Sequence, residues 1–565
     1  MPPENASAAL LGALSKLLTE TAAAPLRLEV DDVAVARETQ ASVVDQLSDY
    51  ILPRLVQLDA PVVIVVGGST GAGKSTLVNS MVGERVSESG VLRPTTRSPV
   101  LVHHPADTEW FRSDRLLPDL PRAVDHPHDV SALLVVPSTG VPKGLAILDA
   151  PDIDSIDAGN RALAAQLLAA ADLWLFVTSA ARYADQVPWD YLRHAAERST
   201  SLAVVLDRTP TDAIAEVRGH LARMMTSRGL SDSPLFTVAE SSTDHEGLLD
   251  AEVVKPIVAW LRDIAADPKT RWTVMKRTLD GAIRHSVFRA HDVADALETQ
   301  LAAADDLYAA ADEVYDQALD RITAGISDGS LLSGELLTAW RDFDESGDLA
   351  GLFERRRFRR RVTEGLLAGR NQRGAQLTHA AGAAVLSLAV VQAESAAEEV
   401  ARVWRLNEAG RGLLAPTRGL DRPSHDLRTR LERVVSDWKT QLAADVQAEA
   451  VSKRKVAAIA QQQLDGLTAV VAGVLLDDLN RVGVTARGRA ALESALGAEV
   501  IRRLVEESRA GLVDAVATVL DGEQQRFLDL IDPPDALEAA HANLREAARQ
   551  ADYARHTEAL DEKTS

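Results

Sequence analysis

One stretch, 61–83, constrains the fold of this chain more than any other. It reads PVVIVVGGSTGAGKSTLVNSMVG and contains the spacing GxxxxGKS between Gly68 and Ser75. The Val and Ile run predicts a buried parallel strand, and the glycines let backbone N–H groups turn toward a phosphate chain before a helix begins. The stretch therefore predicts a phosphate-binding loop, whose residues are Gly68, Ser69, Gly71, Ala72, Gly73, Lys74, Ser75 and Thr76.

Residues of the loop and two acidic residues further along the chain are expected to act on the phosphates and the metal ion. Lys74 is expected to reach the β- and γ-phosphates as a point charge, and the Ser75 hydroxyl to bind Mg²⁺. The segment LAILDAPDIDS puts Asp149 at the end of an apolar run, where its carboxylate is expected to hold the same Mg²⁺. GTPases have DxxG here, whereas this chain has Asp152, whose charge opposes phosphate unless the side chain turns away or binds a cation.

A threonine that closes on Mg²⁺ and the γ-phosphate is expected between the loop helix and the next strand. The segment VLRPTTRSPV lies there, and Thr96, or else Thr95, is the candidate catalytic and metal-binding residue. No glutamine follows Asp149 at the position that small GTPases use, so the Thr96 carbonyl is the alternative group to hold the attacking water. Arg97 and Arg182 are either cations that stabilise the reaction or members of surface salt bridges.

The base-recognition segment departs from the usual NKxD or TKxD. After the apolar run LAVVL the chain reads Asp207, Arg208, Thr and Pro, so the aspartate that reads guanine is absent. Arg208 could instead stack on the base. The segment FTVAES supplies Ala239 and Glu240 as the expected backbone contacts of the last base-binding loop.

Seven short apolar runs alternate with helical patterns between 62 and 239, and the pattern after 271 is almost wholly helical. We therefore predict an α/β P-loop GTPase domain, a mostly parallel sheet flanked by helices, followed by a long α-helical bundle or stalk. The expected divisions are N-terminal helices at 1–58 that pack with the bundle, the nucleotide domain at 59–268, the bundle at 269–545 and a polar tail at 546–565. An apolar seam at four- and three-residue steps follows one helix through Leu297, Leu301, Ala304, Tyr308, Ala311, Tyr315, Ala318 and Ile322. It predicts a bundle helix, with intermolecular coiled-coil pairing as the alternative.

Charge and composition narrow the function. The net charge of −22 argues against general nucleic-acid binding, and the absence of cysteine excludes disulfides and thiolate metal sites. The N-terminus has no charged segment before its apolar run, which predicts a cytoplasmic protein. The uncharged run Gly374–Ala393 favours a buried helix over a membrane-dipping hairpin. His103, His104, His126 and His128 lack a regular ligand spacing, so no metal site is expected there.

Taken together, the loop with LVNSMVG, the RPTT and DAPD segments and the helical C-terminal half resemble the bacterial dynamin-like GTPases, particularly those of actinobacteria. The resemblance implies GTP as substrate, Mg²⁺ as cofactor, a homo-oligomer or a paired dynamin-like partner, and binding at a membrane surface. It also implies a catalytic contribution from a polar pair in the loop, and those two places hold Thr70 and Gly71 here.

A membrane-binding tip is expected between 350 and 395. The segment LFERRRFRRRV contains six arginines in an otherwise acidic chain, and such a cluster can attract anionic headgroups while Phe353 and Phe358 enter the interface. A solvated helix face paired with nearby acids is the alternative, as is an RNA or an acidic partner. The residues expected to face the lipid are Arg355, Arg356, Arg357, Phe358, Arg359, Arg360 and Arg361.

The sequence thus favours a dynamin-like GTPase, cytoplasmic and peripheral at the membrane, that couples GTP hydrolysis to self-association and membrane remodelling. Two alternatives remain. One is a scaffold that binds nucleotide with little turnover, which the altered DAPD and DRTP segments favour. The other is a P-loop ATPase, although the chain has neither an LSGGQ-like signature nor a glutamate directly after Asp149.

Overall fold

A computed structural model of the 565-residue chain describes residues 8–88, 98–112, 120–123, 132–155, 158–197, 201–353, 364–452, 454–479 and 483–561. The chain divides into two compact units. The first comprises Met1–Leu26, Asp32–Glu298 and Glu538–Ser565, and the second comprises Arg27–Asp31 and Thr299–Leu537.

The first unit contains an eight-stranded sheet, counted over the described residues. Its strands are β1 (Val62–Gly68), β2 (Val100–His103), β3 (Arg122–Ala123), β4 (Leu133–Pro137), β5 (Leu145–Asp149), β6 (Leu173–Ser179), β7 (Ser201–Thr209) and β8 (Leu235–Ala239). All seven strands predicted from apolar runs are confirmed, because strands buried on both faces are nearly continuous in Val, Ile and Leu. The two-residue strand β3 was not predicted, since it has no such run.

The strand order is β3-β4-β2-β5-β1-β6-β7-β8. Strand β1 pairs in parallel with β5 and β6, β6 with β7, and β7 with β8, while β2 runs antiparallel to β5. The predicted mostly parallel sheet is therefore confirmed. Since the carboxyl ends of β5, β1, β6, β7 and β8 meet at one edge, the loops after these strands lie side by side, as ligand sites of α/β sheets require.

Helices pack on the sheet, and further helices precede its first strand in the chain. Their bounds are α1 (Ala8–Ala23), α2 (Val33–Asp45), a π-helix (Gln46–Ile51), α3 (Leu52–Val56), α4 (Lys74–Val82), a 3₁₀ turn (Pro105–Asp107), α5 (Thr108–Phe111), α6 (Ala158–Ala169), α7 (Gln186–Glu197), α8 (Ile214–Ser227) and α9 (Ala251–Ala266). Leu77, Val78 and Met81 of α4 pack with Ile257 and Leu261 of α9 in the core on one face of the sheet. This packing fixes the direction of α4 and hence of its N-terminal end.

From Pro268 onward the described residues are mostly helical, and several of the helices are long. They are α10 (Pro268–Ser327), α11 (Gly334–Glu345), α12 (Asp348–Phe353), α13 (Glu364–Leu406), α14 (Glu408–Leu414), α15 (Leu427–Val451), α16 (Arg454–Leu476), α17 (Ala486–Leu496), α18 (Ala498–Leu528) and α19 (Pro534–Asp561). The predicted helical half is confirmed. Within the second unit the predicted seam faces the core, with Ala304, Ala311 and Ile322 fully buried and Tyr308 partly buried.

Close helix contacts and one buried ionic cluster hold the second unit together. A Cβ at Gly374 of α13 would lie 2.7 Å from the backbone N of Gly466, so these helices approach as only glycine allows. Glu523 is fully buried; it accepts hydrogen bonds from the Ser424 backbone N–H at 2.8 Å and from Arg526 at 2.7 Å, and pairs with Arg430.

Helix α13 contains the predicted uncharged run. Among the described residues, its segment Asn371–Leu406 is long and apolar enough to cross a membrane by length and composition, with a mean hydropathy of 1.4 and 33% of the most apolar window buried. Leu377, Ala381, Val385 and Ala389 are buried at four-residue spacing, as on the inner face of a bundle helix. The arginines at 355–361 and Phe358 lie outside the described residues.

Candidate nucleotide-binding site

The predicted phosphate loop joins β1 to α4. Gly68 ends β1 with a φ of 150°, and a Cβ there would lie 2.0 Å from the Val177 carbonyl oxygen on β6. Gly73 has a φ of 97° and directly precedes Lys74, the first residue of α4. Only glycine fits both positions without strain, and the backbone N–H groups at the start of α4 face the loop, which is the geometry that binds anions.

Lys74 is buried at the phosphate loop. Its side chain is 4% exposed, and its ammonium group donates a hydrogen bond to the Ser69 carbonyl oxygen at 3.2 Å. The same ammonium group forms an ion pair with Asp152. The carboxylate that stands in place of the DxxG glycine therefore binds a cation, and that cation is the phosphate-binding lysine itself. Any phosphate that binds Lys74 competes with Asp152.

Asp149 ends β5, beside Val66 of β1, and is fully buried. Its Oδ2 accepts a hydrogen bond from the Ser87 hydroxyl at 2.6 Å, whereas Oδ1 has no hydrogen-bond partner among the described residues. Burial raises the pKa of the Asp149 carboxyl above its ordinary value, against the opposing effect of hydrogen bonds from Ser87 and Ser75. One oxygen of this buried carboxylate is thus without a hydrogen-bond partner among the described residues, while the carboxyl group as a whole is bonded by Ser87 and Ser75.

Ser87 and Asn79 are site residues that the sequence interpretation missed. The Asn79 Oδ1 accepts hydrogen bonds from the backbone N–H groups of Val86 and Ser87 at 3.0 and 2.9 Å, and its amide donates to the Ser87 carbonyl oxygen at 2.9 Å. This ring of bonds holds the chain after α4 against Asp149. The available signal was an asparagine in the apolar helix of the loop, whose side chain must find partners when buried.

Asp154 is the third missed residue, and it joins two loops. Its Oδ1 accepts hydrogen bonds from both the backbone N–H and the hydroxyl of Thr70, each at 2.6 Å. Its Oδ2 forms an ion pair with Arg182, which follows β6. Of the two arginines proposed as cations, Arg182 is thus placed next to the phosphate loop, and the spacing of aspartates in DAPDID was the available signal.

The expected base-binding residues lie at the ends of β7 and β8. The Asp207 Oδ1 accepts a hydrogen bond from its neighbour's backbone N–H at 2.7 Å, and a Cβ at Gly73 would lie 2.2 Å from Oδ2, so the carboxylate touches the phosphate loop. Burial raises the pKa of Asp207 to about 6. Arg208 is exposed with a φ of 47°, and the Glu240 backbone N–H donates to the Thr209 carbonyl oxygen at 2.9 Å.

Several residues that were considered from the sequence are not part of the site described above. Thr95, Thr96 and Arg97 lie outside the described residues, as do His126 and His128. His103 is buried and stacks on Phe111 with ring centroids 5.1 Å apart. Within the part of the chain that the structure describes, no group of three or more His, Asp or Glu side chains could hold a metal ion.

A mostly parallel sheet whose central strand runs into a GxxxxGKS loop and a helix, with a buried aspartate at the end of the neighbouring strand, defines a P-loop nucleotide-binding domain. No protein-family model matches the chain. Among curated proteins, it is similar to the probable transmembrane GTPase FZO-like, chloroplastic, of Arabidopsis thaliana, with 22% identity over 268 residues. The match covers 46% of this chain and 27% of that protein.

Among solved structures, one similar chain belongs to an oligomerised bacterial dynamin pair described as providing a mechanism for the long-range sensing and tethering of membranes. The identity is 10%, the TM-score is 0.41, and the match covers 97% of this chain and 94% of that chain. Another is Era in complex with MgGDPNP and a 16S ribosomal RNA segment, with 18% identity and a TM-score of 0.24, covering 36% of this chain and 56% of that chain. These matches show only what the chain is similar to, and it spans about a quarter of the length of the curated relative.

Proposed function

We propose that the chain binds GTP at the phosphate loop and hydrolyses it. The observation that carries this proposal is the meeting of Lys74, Ser75 and Asp149 at one sheet edge. Asp149 pairs in register with Val66, two residues before Gly68, so the strand-end carboxylate lies beside the loop. A lysine and backbone N–H groups for the phosphates, together with hydroxyl and carboxylate oxygens for a cation, are the parts that phosphoryl transfer requires.

Mg²⁺ is the expected cofactor, and the residues fit it. The Asp149 Oδ1 is buried without a hydrogen-bond partner among the described residues, and the Ser75 hydroxyl is bonded to the same carboxyl group. Oxygen ligands of this kind are the ones that Mg²⁺ prefers, and a cation would favour the charged carboxylate that burial disfavours. When bound, the metal would neutralise charge on the phosphate oxygens. Thr96 is proposed as a further ligand.

GTP is proposed over ATP on the basis of the dynamin-like resemblance, with Arg208 as the residue that contacts the base. Arg208 is exposed and has a φ of 47°, a left-handed conformation that is uncommon for a residue other than glycine. Its Nε would lie 3.5 Å from a Cβ at Gly73, so its stem runs beside the loop. Ala239 and Glu240 complete this proposed base site through their backbone, which the bond from Glu240 to Thr209 holds in place.

We further propose that the nucleotide cycle is coupled to self-association and to binding at an anionic membrane surface. The support is the resemblance to dynamin-like proteins and the arginine-rich segment 352–362. Replacing its six arginines by serine should release the protein from anionic vesicles without changing nucleotide affinity, because each basic residue contributes about 1 kcal/mol at such a surface. Neutral vesicles are the control, and unchanged cosedimentation would place the membrane site elsewhere.

The test of the proposed activity is phosphate release from GTP and from ATP, each with and without anionic liposomes. We expect GTP turnover that the liposomes stimulate. Lys74→Ala should weaken nucleotide binding by at least about 100-fold, since it removes a charged hydrogen-bond donor to two phosphates. Lys255→Ala, at an exposed lysine paired with Glu252, is the matched control and should leave binding unchanged. Retained affinity in Lys74→Ala would remove the phosphate-loop assignment.

A scaffold that binds nucleotide with little turnover is the second candidate. The ion pair between Lys74 and Asp152 favours it, because a carboxylate beside the phosphate-binding lysine opposes the charge stabilisation that turnover requires. Tight GTP binding together with a turnover no faster than that of Lys74→Ala would support the scaffold over the enzyme.

A further inference from the structure

Asp154 connects the ends of three neighbouring strands. It follows β5, its Oδ1 binds Thr70 after β1, and its Oδ2 binds Arg182 after β6. These strands are adjacent in the sheet in the order β5-β1-β6. The contact is well protected, because the Asp154 side chain is only 13% exposed. A carboxylate that accepts three donors from two loops fixes the distance between those loops more firmly than a single surface pair does.

The backbone that carries Arg182 is itself ordered by short bonds. The backbone N–H groups of Arg182 and Tyr183 both donate to the Ser179 carbonyl oxygen at 2.9 Å, and that of Asp185 donates to the Arg182 carbonyl oxygen at 3.0 Å. The Trp189 indole N–H donates to the Tyr183 carbonyl oxygen at 2.8 Å. This compact turn follows the carboxyl end of β6 and holds the Arg182 guanidinium group beside the phosphate loop.

We propose that Arg182 is the cation that stabilises the transferring phosphoryl group in this chain, and that Asp154 is its positioning residue. The proposal rests on the GTPase activity proposed above. In that reaction water attacks the γ-phosphorus, the bond from this phosphorus to the β,γ-bridging oxygen breaks, and its electron pair leaves with GDP. Both hydrogens of the water end on the inorganic phosphate, one on the oxygen that attacked and one on another phosphate oxygen, and Arg182 contributes charge and hydrogen bonds without transferring a proton.

The chemistry of the two side chains supports these roles. A guanidinium group stays charged at any working pH, and it has donors left after one carboxylate is bound. The Arg182 side chain is 38% exposed, so it can reach a bound ligand. Asp154 is bonded to Thr70 of the loop, and this contact holds the Arg182 guanidinium group next to the phosphate loop.

The test compares Arg182→Ala, Arg182→Lys and Asp154→Asn with the wild type under steady-state turnover of GTP. We expect Arg182→Ala to lower kcat at least tenfold, toward the roughly 10³-fold that an arginine finger supplies, with KM changed less than about threefold. Asp154→Asn should also lower kcat, and combining it with Arg182→Ala should add little, because Asp154 acts through Arg182. Arg182→Lys should recover part of kcat.

The matched control is Arg193→Ala, which breaks the exposed pair with Asp190 on α7. It should leave both kcat and KM unchanged. If Arg182→Ala behaves like Arg193→Ala, with kcat within twofold of the wild type, then the pair of Arg182 with Asp154 is only a structural salt bridge and the proposal is overturned.

A second measurement is independent of the turnover rate, so that failure of the proposed activity can be told from failure of this inference. GDP affinity is measured with and without aluminium fluoride, whose complex with GDP imitates the transferring phosphoryl group. We expect aluminium fluoride to tighten GDP binding by the wild type. In Arg182→Ala this increase in affinity should be at least tenfold smaller, while the affinity for GDP alone should be unchanged. A gain that survives in Arg182→Ala, or no gain in the wild type, overturns the role of Arg182 even where GTP is hydrolysed.

Discussion

The ion pair between Asp152 and Lys74 should control how tightly the loop binds nucleotide. Both side chains are shielded, at 17% and 4% exposure, and the ammonium group has the Ser69 carbonyl oxygen as a further partner. Asp152→Asn keeps the size of the side chain and removes its charge. We therefore expect the variant to bind GTP and GDP more tightly than the wild type, because the phosphates no longer displace a carboxylate from Lys74.

The magnitude follows from the kind of bond that is lost. A hydrogen bond between charged groups contributes about 1.5–3 kcal/mol, and each 1.4 kcal/mol is a factor of ten in affinity. The side-chain amide introduced by this substitution would still accept a weaker bond from Lys74, so the lower part of that range applies. A gain of roughly 10- to 30-fold is expected, and the loss of a negative charge beside the phosphates acts in the same direction.

Titration with a fluorescent guanine nucleotide measures this gain directly as a ratio of Kd values. Asp190→Asn, which breaks an exposed pair with Arg193, is the control and should change Kd by less than twofold. Nucleotide binding by Asp152→Asn that is no tighter than that of the wild type would show that the carboxylate does not compete for Lys74.

Two further predictions concern stability. The pKa of Asp207 is raised to about 6 from 3.8 by burial, so the folded state holds its proton where the unfolded state has lost it, and stability falls as pH rises from about 4 to about 6. Asp207→Asn should remove this loss of up to about 3 kcal/mol. Its melting temperature should therefore match that of the wild type near pH 4 and exceed it above pH 6. Equal melting temperatures of the two proteins at both pH values would contradict the raised pKa of Asp207. Glu523→Ala should destabilise the second unit by about 3–5 kcal/mol, because it leaves Arg430 and Arg526 without their buried partner. Thermal unfolding measures this, with the surface change Glu432→Ala as control, and equal effects of the two changes would show that the cluster is not important.

Much of the fold could be predicted from local pattern. Each of the seven apolar runs is a strand because a strand buried on both faces needs apolar residues throughout, and the seam from Leu297 to Ile322 is helical because its spacing fits one face of a helix. Strand β3 was not predicted because Arg122 and Ala123 do not form an apolar run. The phosphate loop could be predicted for the same local reason, since its glycines, Lys74 and Ser75 are fixed by one short segment.

The sequence by itself therefore determined the phosphate loop, the alternation of strands and helices, and the strand-end position of Asp149. Only the tertiary structure decided which side chains meet. Lys74 pairs with Asp152 at a separation of 78 residues, and Thr70 with Asp154 at 84. These pairs exist because the strand order places β5 beside β1, and that order arises from packing of the whole sheet. No pattern within a single segment contains it, because hydrogen bonds between strands depend on distance in space and on the direction in which each strand runs.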